Sequence, residues 1–137
     1  MAGQCEQRWD AHYEPVVGPY AANELSRCLP WLQAALQRSG FGTTIHEMAD
    51  RVLFNDRFDL WPGDAAVIVT ERSGENLNFW LAGGDLEELE QMVPCVDAWA
   101  QDKGFKRVLL YGRRGWERTF LREQGYSPRW TVMAKEL

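Results

Sequence analysis

The amino-acid sequence predicts a single α/β (α+β) domain, with helices on both faces of a mixed, mostly antiparallel sheet. Apolar residues recur at helical spacing in two long stretches, and several shorter stretches are rich in branched and aromatic residues. The two kinds of pattern alternate toward the C-terminus, which is typical of a β-α-β crossover. Because 137 residues is the usual length of one domain, we treat residues 1–137 as one unit.

The composition excludes several classes of protein. Hydrophobic residues make up 45% of the chain and charged residues 26%, which is typical of a globular protein. The net charge of -5 argues against electrostatic attraction to nucleic acid or to an anionic membrane. No apolar run approaches the roughly 20 residues of a membrane span, and the N-terminus lacks a secretory signal, so we expect a cytoplasmic protein. Histidines and cysteines are not at metal spacing, so no metal site is predicted.

The first half of the chain is predicted to contain an arm and two helices. Residues 1–22 lack periodicity and indicate an extended arm. Helical spacing then runs over residues 23–40, where Pro30 is expected to kink the helix or to begin a second one. Thr44 and Glu47 match a capping box, which predicts a helix over residues 45–53.

The second half is predicted to contain a meander and a β-α-β-α-β segment. Strands are expected at 58–61, 65–71, 77–81 and 106–111, with a last strand over 126–137. An apolar stripe at three- and four-residue spacing predicts a long helix from Asp85 to Gly104, and a shorter helix is expected over 115–124.

The turn Gly83-Gly84-Asp85 raises the question of an anion site. Glycines before a helix are typical of phosphate-binding turns, because backbone N–H groups at a helix N-terminus attract anions. Asp85, however, is a natural N-cap whose carboxylate would accept from the donors near Glu87 and Glu88, and Glu90 adds further charge. The turn either binds an external anion or satisfies its own helix. The second interpretation is favoured, since acidic first turns are ordinary in helices.

The order of elements resembles that of the GNAT superfamily of acyl-CoA N-acyltransferases, as do the stretches G-F-K-R-V-L-L-Y-G and W-E-R-T-F-L-R-E-Q-G-Y. The resemblance covers residues 43–137 and, more loosely, 23–42. It implies a GNAT fold, acetyl-CoA as the acyl donor, and transfer to a small amine or a protein amine.

A narrower resemblance rests on L-W-P-G-D-A-A-V-I-V-T-E, F-W-L-A-G-G-D-L-E-E-L and G-R-R-G-W. These stretches are similar to small GNAT-like proteins encoded among the virion genes of tailed phages. That similarity implies a virion-associated role with protein partners in the phage particle, and a location in the host cytoplasm or the virion.

Two departures from the GNAT pattern point to a degenerate CoA site. The family's pyrophosphate loop reads Q/R-x-x-G-x-G/A, whereas this chain has only L-A-G-G-D. The position of the usual tyrosine acid is occupied by Leu121. We therefore expect a structural or binding module, and the alternative is an active acetyl-CoA-dependent N-acyltransferase.

The resemblance still assigns candidate site residues. Glu71 is the best candidate base, with Asp59 next, and a phenol would come from Tyr111 or Tyr126, although both fall where core aromatics are expected. Candidate CoA contacts are the backbone from Phe79 to Leu81, the glycines Gly83 and Gly84, and the basic side chains of Arg114 and Arg118.

Arg114, Arg118 and Arg122 lie four residues apart and predict a basic helical stripe. The stripe would suit a CoA 3′-phosphate, a nucleic-acid backbone or an acidic protein face. Interleaved glutamates favour a solvated face with ion pairs, and the net charge weakens the nucleic-acid interpretation. Trp61 and Trp80 fall on strand faces opposite neighbours expected in the core, so exposed tryptophans would mark a partner surface.

Overall fold

A four-stranded sheet forms the centre of the protein. The structure, a computed structural model, describes residues 12–39, 42–111, 119–129, 133–135 and 137. In chain order the strands are β1 (Phe58–Pro62), β2 (Ala66–Ser73), β3 (Asn76–Gly84) and β4 (Arg107–Leu110). The sheet order is β1-β2-β3-β4, with antiparallel pairing up to β3 and parallel pairing of β3 with β4. This is the mixed, mostly antiparallel sheet that the sequence predicts.

In the described part of the chain, three helices cover the sheet: α1 (Ala22–Ser39), α2 (Ile45–Phe54) and α3 (Leu86–Asp102). Helix α1 continues through Pro30 as one helix, so the predicted restart does not occur. The capping box of α2 is confirmed: Glu47 N–H donates to Thr44 Oγ1 and Thr44 N–H donates to the Glu47 carboxylate, each at 3.1 Å. Helix α3 connects β3 to the parallel strand β4, as a crossover must.

The arm before α1 lies along the outer edge of the sheet. Val16 and Leu60 exchange backbone hydrogen bonds of 2.7 and 3.3 Å, and a 3-10 turn (Gly18–Ala21) follows. The described part of the predicted arm, residues 12–17, contains no helix and bridges β1 at Val16. It shields part of β1, whose unpaired backbone groups would otherwise be available to another chain.

Each face of the sheet packs against its own helices. Leu60, Val67 and Leu81 face α1 and α2, whereas Ile68, Leu77 and Phe79 face α3; all six side chains are buried. This alternation follows from the two-residue period of a strand. The sheet is thus a barrier between two apolar layers, and a ligand must approach it from an edge or an end.

Three expectations need correction. Residues 119–125 form successive turns, which Gly125 ends at φ +92°, and this described part of 115–124 is not helical. Neither 126–129 nor 133–135 is a strand; the rest of the predicted last strand lies outside the described residues. Trp61 is fully buried, since the sheet has apolar layers on both faces, and Trp80 is half-buried. The described tryptophans therefore form no exposed patch.

Candidate functional site

Strands β3 and β4 part in the middle of β3. Their pairing ends at Phe79 opposite Leu110, whereas β3 continues to Gly84. We call this opening the fork. Among the described residues, no strand pairs with the far half of β3 on the β4 side. Its backbone N–H and C=O groups could therefore accept an extended ligand.

A β-bulge lies at the start of the fork. Val69 of β2 is opposite Leu81 and Thr70 is opposite Phe79, so Trp80 is the extra residue. The bulge shifts the alternation, and Trp80 and Leu81 both face α1 and α2. Phe79 and Leu81 are each 3% exposed and on opposite faces. Only their backbone remains for the predicted contact with CoA, and that contact stays a prediction.

Gly83 and Gly84 are required by close packing. A Cβ on Gly83 would lie 2.6 Å from the carbonyl oxygen of Trp31 in α1. A Cβ on Gly84 would lie 2.4 Å from the carbonyl oxygen of Ala65, and Gly84 has φ +101°, which disfavours other residues. The glycine pair thus has a structural explanation that needs no phosphate.

Asp85 satisfies the donors of its own turn. Its carboxylate accepts from Glu88 N–H at 3.0 Å, which confirms the predicted N-cap. Its own N–H donates to the Ala65 carbonyl at 2.8 Å. Two backbone donors at the junction of β3 and α3 are therefore already bound within the protein.

Glu88 supplies an internal anion to the turn between β1 and β2. Its carboxylate accepts from Asp64 N–H at 2.8 Å, from Ala65 N–H at 2.5 Å and from the Tyr13 hydroxyl at 3.0 Å. Successive N–H groups of this kind form an anion-binding concavity. Gly63 makes room for it, since a Cβ there would lie 2.8 Å from the Glu88 carboxyl carbon. This contact was not predicted from the sequence.

The same turn is held from its other side by Arg27. Its guanidinium donates to the carbonyls of Gly63 at 2.6 Å and Asp64 at 3.3 Å, and pairs with Glu24 at 2.7 Å. The hydrogen bond to Glu24 raises the pKa of Arg27. Arg27 is thus engaged within the protein, while Glu87 and Glu90 leave exposed negative charge beside the turn.

Glu71 lies on β2 opposite Asn78, one residue before the fork begins at Phe79, and its carboxylate forms an ion pair. Its carboxylate meets the Arg57 guanidinium at 2.5 Å, and its side chain is 26% exposed. Arg57 must move before this carboxylate can take a proton from an amine. Asp59, the second candidate base, is fully buried and accepts two bonds from Arg72 at 3.0 and 3.1 Å. No amine can reach Asp59 in this structure.

Tyr111 and Tyr126 differ in availability. Tyr111 directly follows β4 and is 58% exposed, so its predicted place in the core is wrong: β4 ends at Leu110 and releases it. Tyr126 packs in the core as expected and donates to the Asp97 carboxylate. Burial and the Asp97 charge raise the pKa of Tyr126, so this phenol is a poor acid.

The pair of Asp97 and Tyr126 was missed by the sequence analysis. Burial raises the pKa of Asp97 to about 6, against the opposing hydrogen bond from Tyr126. The signal lay in the spacing, since Asp97 is four residues after Val93 and three before Ala100 on the apolar stripe of α3. A carboxylate at such a position is partly buried when the helix packs.

The candidate residues are only partly brought together. Glu71 lies on β2 and Tyr111 directly follows β4, so β3 lies between them and their backbones are at least about 10 Å apart. Leu121, at the position of the usual acid, is 3% exposed in the core. Arg114 and Arg118 lie outside the described residues, so the basic stripe remains a prediction.

The described part of the chain holds neither a cluster of metal ligands nor a helix suited to crossing a membrane. No group of three His, Cys, Asp or Glu side chains there is arranged to hold a metal ion. Of the helices described, none combines the length and apolar character that crossing a bilayer requires.

Comparison with known proteins identifies the fold. No family model matches the chain, and no curated protein matches it. The solved structure of YycN from Bacillus subtilis, a candidate acetyltransferase, is similar with a TM-score of 0.54. The likeness covers 90% of this chain and 99% of YycN at 12% sequence identity, a level that shows the fold alone. The chain therefore has a GNAT-like fold.

Proposed function

We propose that this chain is a GNAT-fold binding or structural module whose CoA site is degenerate. The observation that carries the proposal is the self-satisfied turn between β3 and α3. Asp85 caps the helix, and Glu88 fills the neighbouring concavity with a carboxylate. A pyrophosphate would have to displace these contacts before it gained any of its own.

Electrostatics adds to this exclusion. Asp64, Asp85, Glu87 and Glu90 are exposed around the same turn. Each of these carboxylates repels a second anion, although solvent keeps each single repulsion small. All four act in the same direction on a pyrophosphate, whereas Arg27, the basic group beside the turn, is already engaged.

The proposed setting is a tailed-phage particle, with one or more protein partners there. The support is the resemblance of three sequence stretches to small GNAT-like proteins encoded among virion genes. The acidic turn supports protein binding over nucleic-acid binding, because a phosphate backbone would meet the same repulsion as a pyrophosphate.

Thermal unfolding with millimolar acetyl-CoA, CoA or ATP tests the proposal. A ligand at about 100 times its Kd would add roughly 2.7 kcal/mol to the free energy of unfolding. We expect no stabilisation specific to the CoA species. Stabilisation by acetyl-CoA and CoA but not by ATP would contradict a degenerate site.

An active N-acyltransferase is the second candidate, favoured by the fork and by the exposed phenol of Tyr111 at the start of the fork. Glu71 would take the proton of the attacking amine after release from Arg57. The amine nitrogen would bond to the thioester carbonyl carbon, the C–S bond would break, and Tyr111 would protonate the departing thiolate. Release of CoA thiol with a panel of amines, lost in Glu71→Gln and Tyr111→Phe, would support this reaction.

A further inference from the structure

The segment 119–129, which we call the C-terminal segment, is docked on α3 by three contacts. Leu121 is 3% exposed in the core beside α3. The Gln124 side-chain amide donates to the carbonyl of Glu90 at 3.2 Å. Tyr126 reaches Asp97, two turns further along the helix. Because the segment contains no helix or strand, side-chain contacts such as these hold it on α3.

The contact between Tyr126 and Asp97 lies beside the fork. The ring of Tyr126 is 6.4 Å from that of Phe79, centre to centre, and Phe79 is the last residue of β3 paired with β4. When the segment leaves α3, it uncovers this residue. Release of the C-terminal segment from α3 would therefore change access to the fork.

Burial is the largest influence on the pKa of Asp97, and two groups oppose it. The hydrogen bond from Tyr126 and the charge of the N-terminus both lower this pKa. No described lysine or arginine forms an ion pair with Asp97. Burial therefore outweighs both groups in the docked state, whereas undocking returns the ionised carboxylate to water.

We propose that Asp97 and Tyr126 form a proton-dependent clasp, which holds the C-terminal segment on α3 under mildly acidic conditions and loosens it near neutral pH. In the docked state the Asp97 carboxyl carries a proton below about pH 6 and is ionised above it. Tyr126 keeps its own proton in both states. The clasp goes beyond the proposed function, because it does not depend on whether the fork binds CoA, a protein or neither.

The direction follows from the pKa of Asp97. Burial raises that pKa from 3.8 to about 6 in the docked state, so docking is strongest below 3.8. The stabilisation from the protonated carboxyl decreases as the pH rises and is lost above about pH 6. At higher pH the docking equilibrium no longer changes with the protonation of Asp97. The two pKa values give about a tenfold rise, between pH 5 and pH 7.5, in the equilibrium constant for release of the C-terminal segment from α3.

Amide hydrogen exchange of the C-terminal segment, read by mass spectrometry at pH 5 and pH 7.5, measures this opening. After correction for the intrinsic exchange rate, the wild type should open about tenfold more at pH 7.5. Asp97→Asn should open equally at both pH values. The control Asp102→Asn removes an exposed carboxylate from the same helix and should keep the wild-type dependence.

Tyr126→Phe is the second variant, because it keeps the ring and removes the donor. It should open more than the wild type, and the excess should be larger at pH 7.5, where Asp97 is ionised and has lost its hydrogen bond. Equal corrected opening of the wild type at the two pH values would overturn the clasp. So would a pH dependence that survives Asp97→Asn.

Discussion

Replacing Glu88 by glutamine tests the internal anion directly. The carboxylate accepts two backbone N–H bonds from the turn between β1 and β2 and one bond from Tyr13. A hydrogen bond to a charged group contributes roughly 1.5–3 kcal/mol, and glutamine keeps one acceptor oxygen but turns an NH2 group toward an N–H donor. Because Glu88 is half-buried and the turn is exposed, we discount the sum and expect a loss of about 2 kcal/mol.

Chemical and thermal denaturation of the purified variant would measure this loss. For a chain of this length, 2 kcal/mol corresponds to a fall in Tm of about 7 °C. Glu87→Gln is the matched control, since Glu87 is the adjacent glutamate in the same helical turn and is exposed. It should change the free energy of unfolding by less than about 0.5 kcal/mol. If the two variants are equally stable, the Glu88 carboxylate does not hold the turn and the reasoning fails.

Two further substitutions probe the packing around the sheet. Gly84→Ala should destabilise the protein by more than about 2 kcal/mol in denaturant unfolding, because the new Cβ meets backbone atoms at 2.4 and 2.6 Å. The control Gly74→Ala also changes a glycine with a positive φ, but it has open space around it and should cost about 1 kcal/mol. Equal costs for the two variants would contradict the close packing at Gly84. Arg72→Met should lower the free energy of unfolding by about 2–4 kcal/mol, because it leaves the fully buried Asp59 carboxylate without its ion-pair partner. Arg57→Met removes a partly exposed ion pair and should lower it by at most about 1 kcal/mol. The opposite ranking would refute this account of the two ion pairs.

Local signals in the sequence predicted much of the fold. The capping box of Thr44 and Glu47 and the N-cap Asp85 are both confirmed, because each depends on residues three positions apart. The apolar stripe of α3 and the branched residues of β2 placed those elements within a residue or two. A short helix was predicted over residues 115–124, but its described part, residues 119–124, forms turns; isolated short helices are marginal because helix nucleation is costly.

The site depends on contacts that local patterns do not contain. Glu88 binds a turn 24 residues earlier in the chain, and Tyr126 binds Asp97 across 29 residues. In the sequence, Glu88 is one of several acidic residues in a first turn, with nothing to single it out. The bulge at Trp80 likewise arises from register between strands, and it determines which side chains flank the fork.

The candidate acids and bases illustrate the same limit. Glu71 was predicted as the best candidate base, but its pairing with Arg57 depends on the register of β1 against β2, which the sequence does not show. Tyr111 was expected in the core because the branched pattern of β4 runs up to it. The strand ends one residue earlier, and this difference exposes the phenol.

The central claim is that the acidic turn excludes CoA, and calorimetric titration of acetyl-CoA into two proteins tests it most directly. The first is the wild type and the second is Asp85→Gly combined with Glu87→Gln, which removes two charges while glycine remains a tolerated N-cap. We expect the double variant to bind acetyl-CoA more tightly than the wild type. Equal affinity in the two proteins would contradict the claim that these carboxylates close the site.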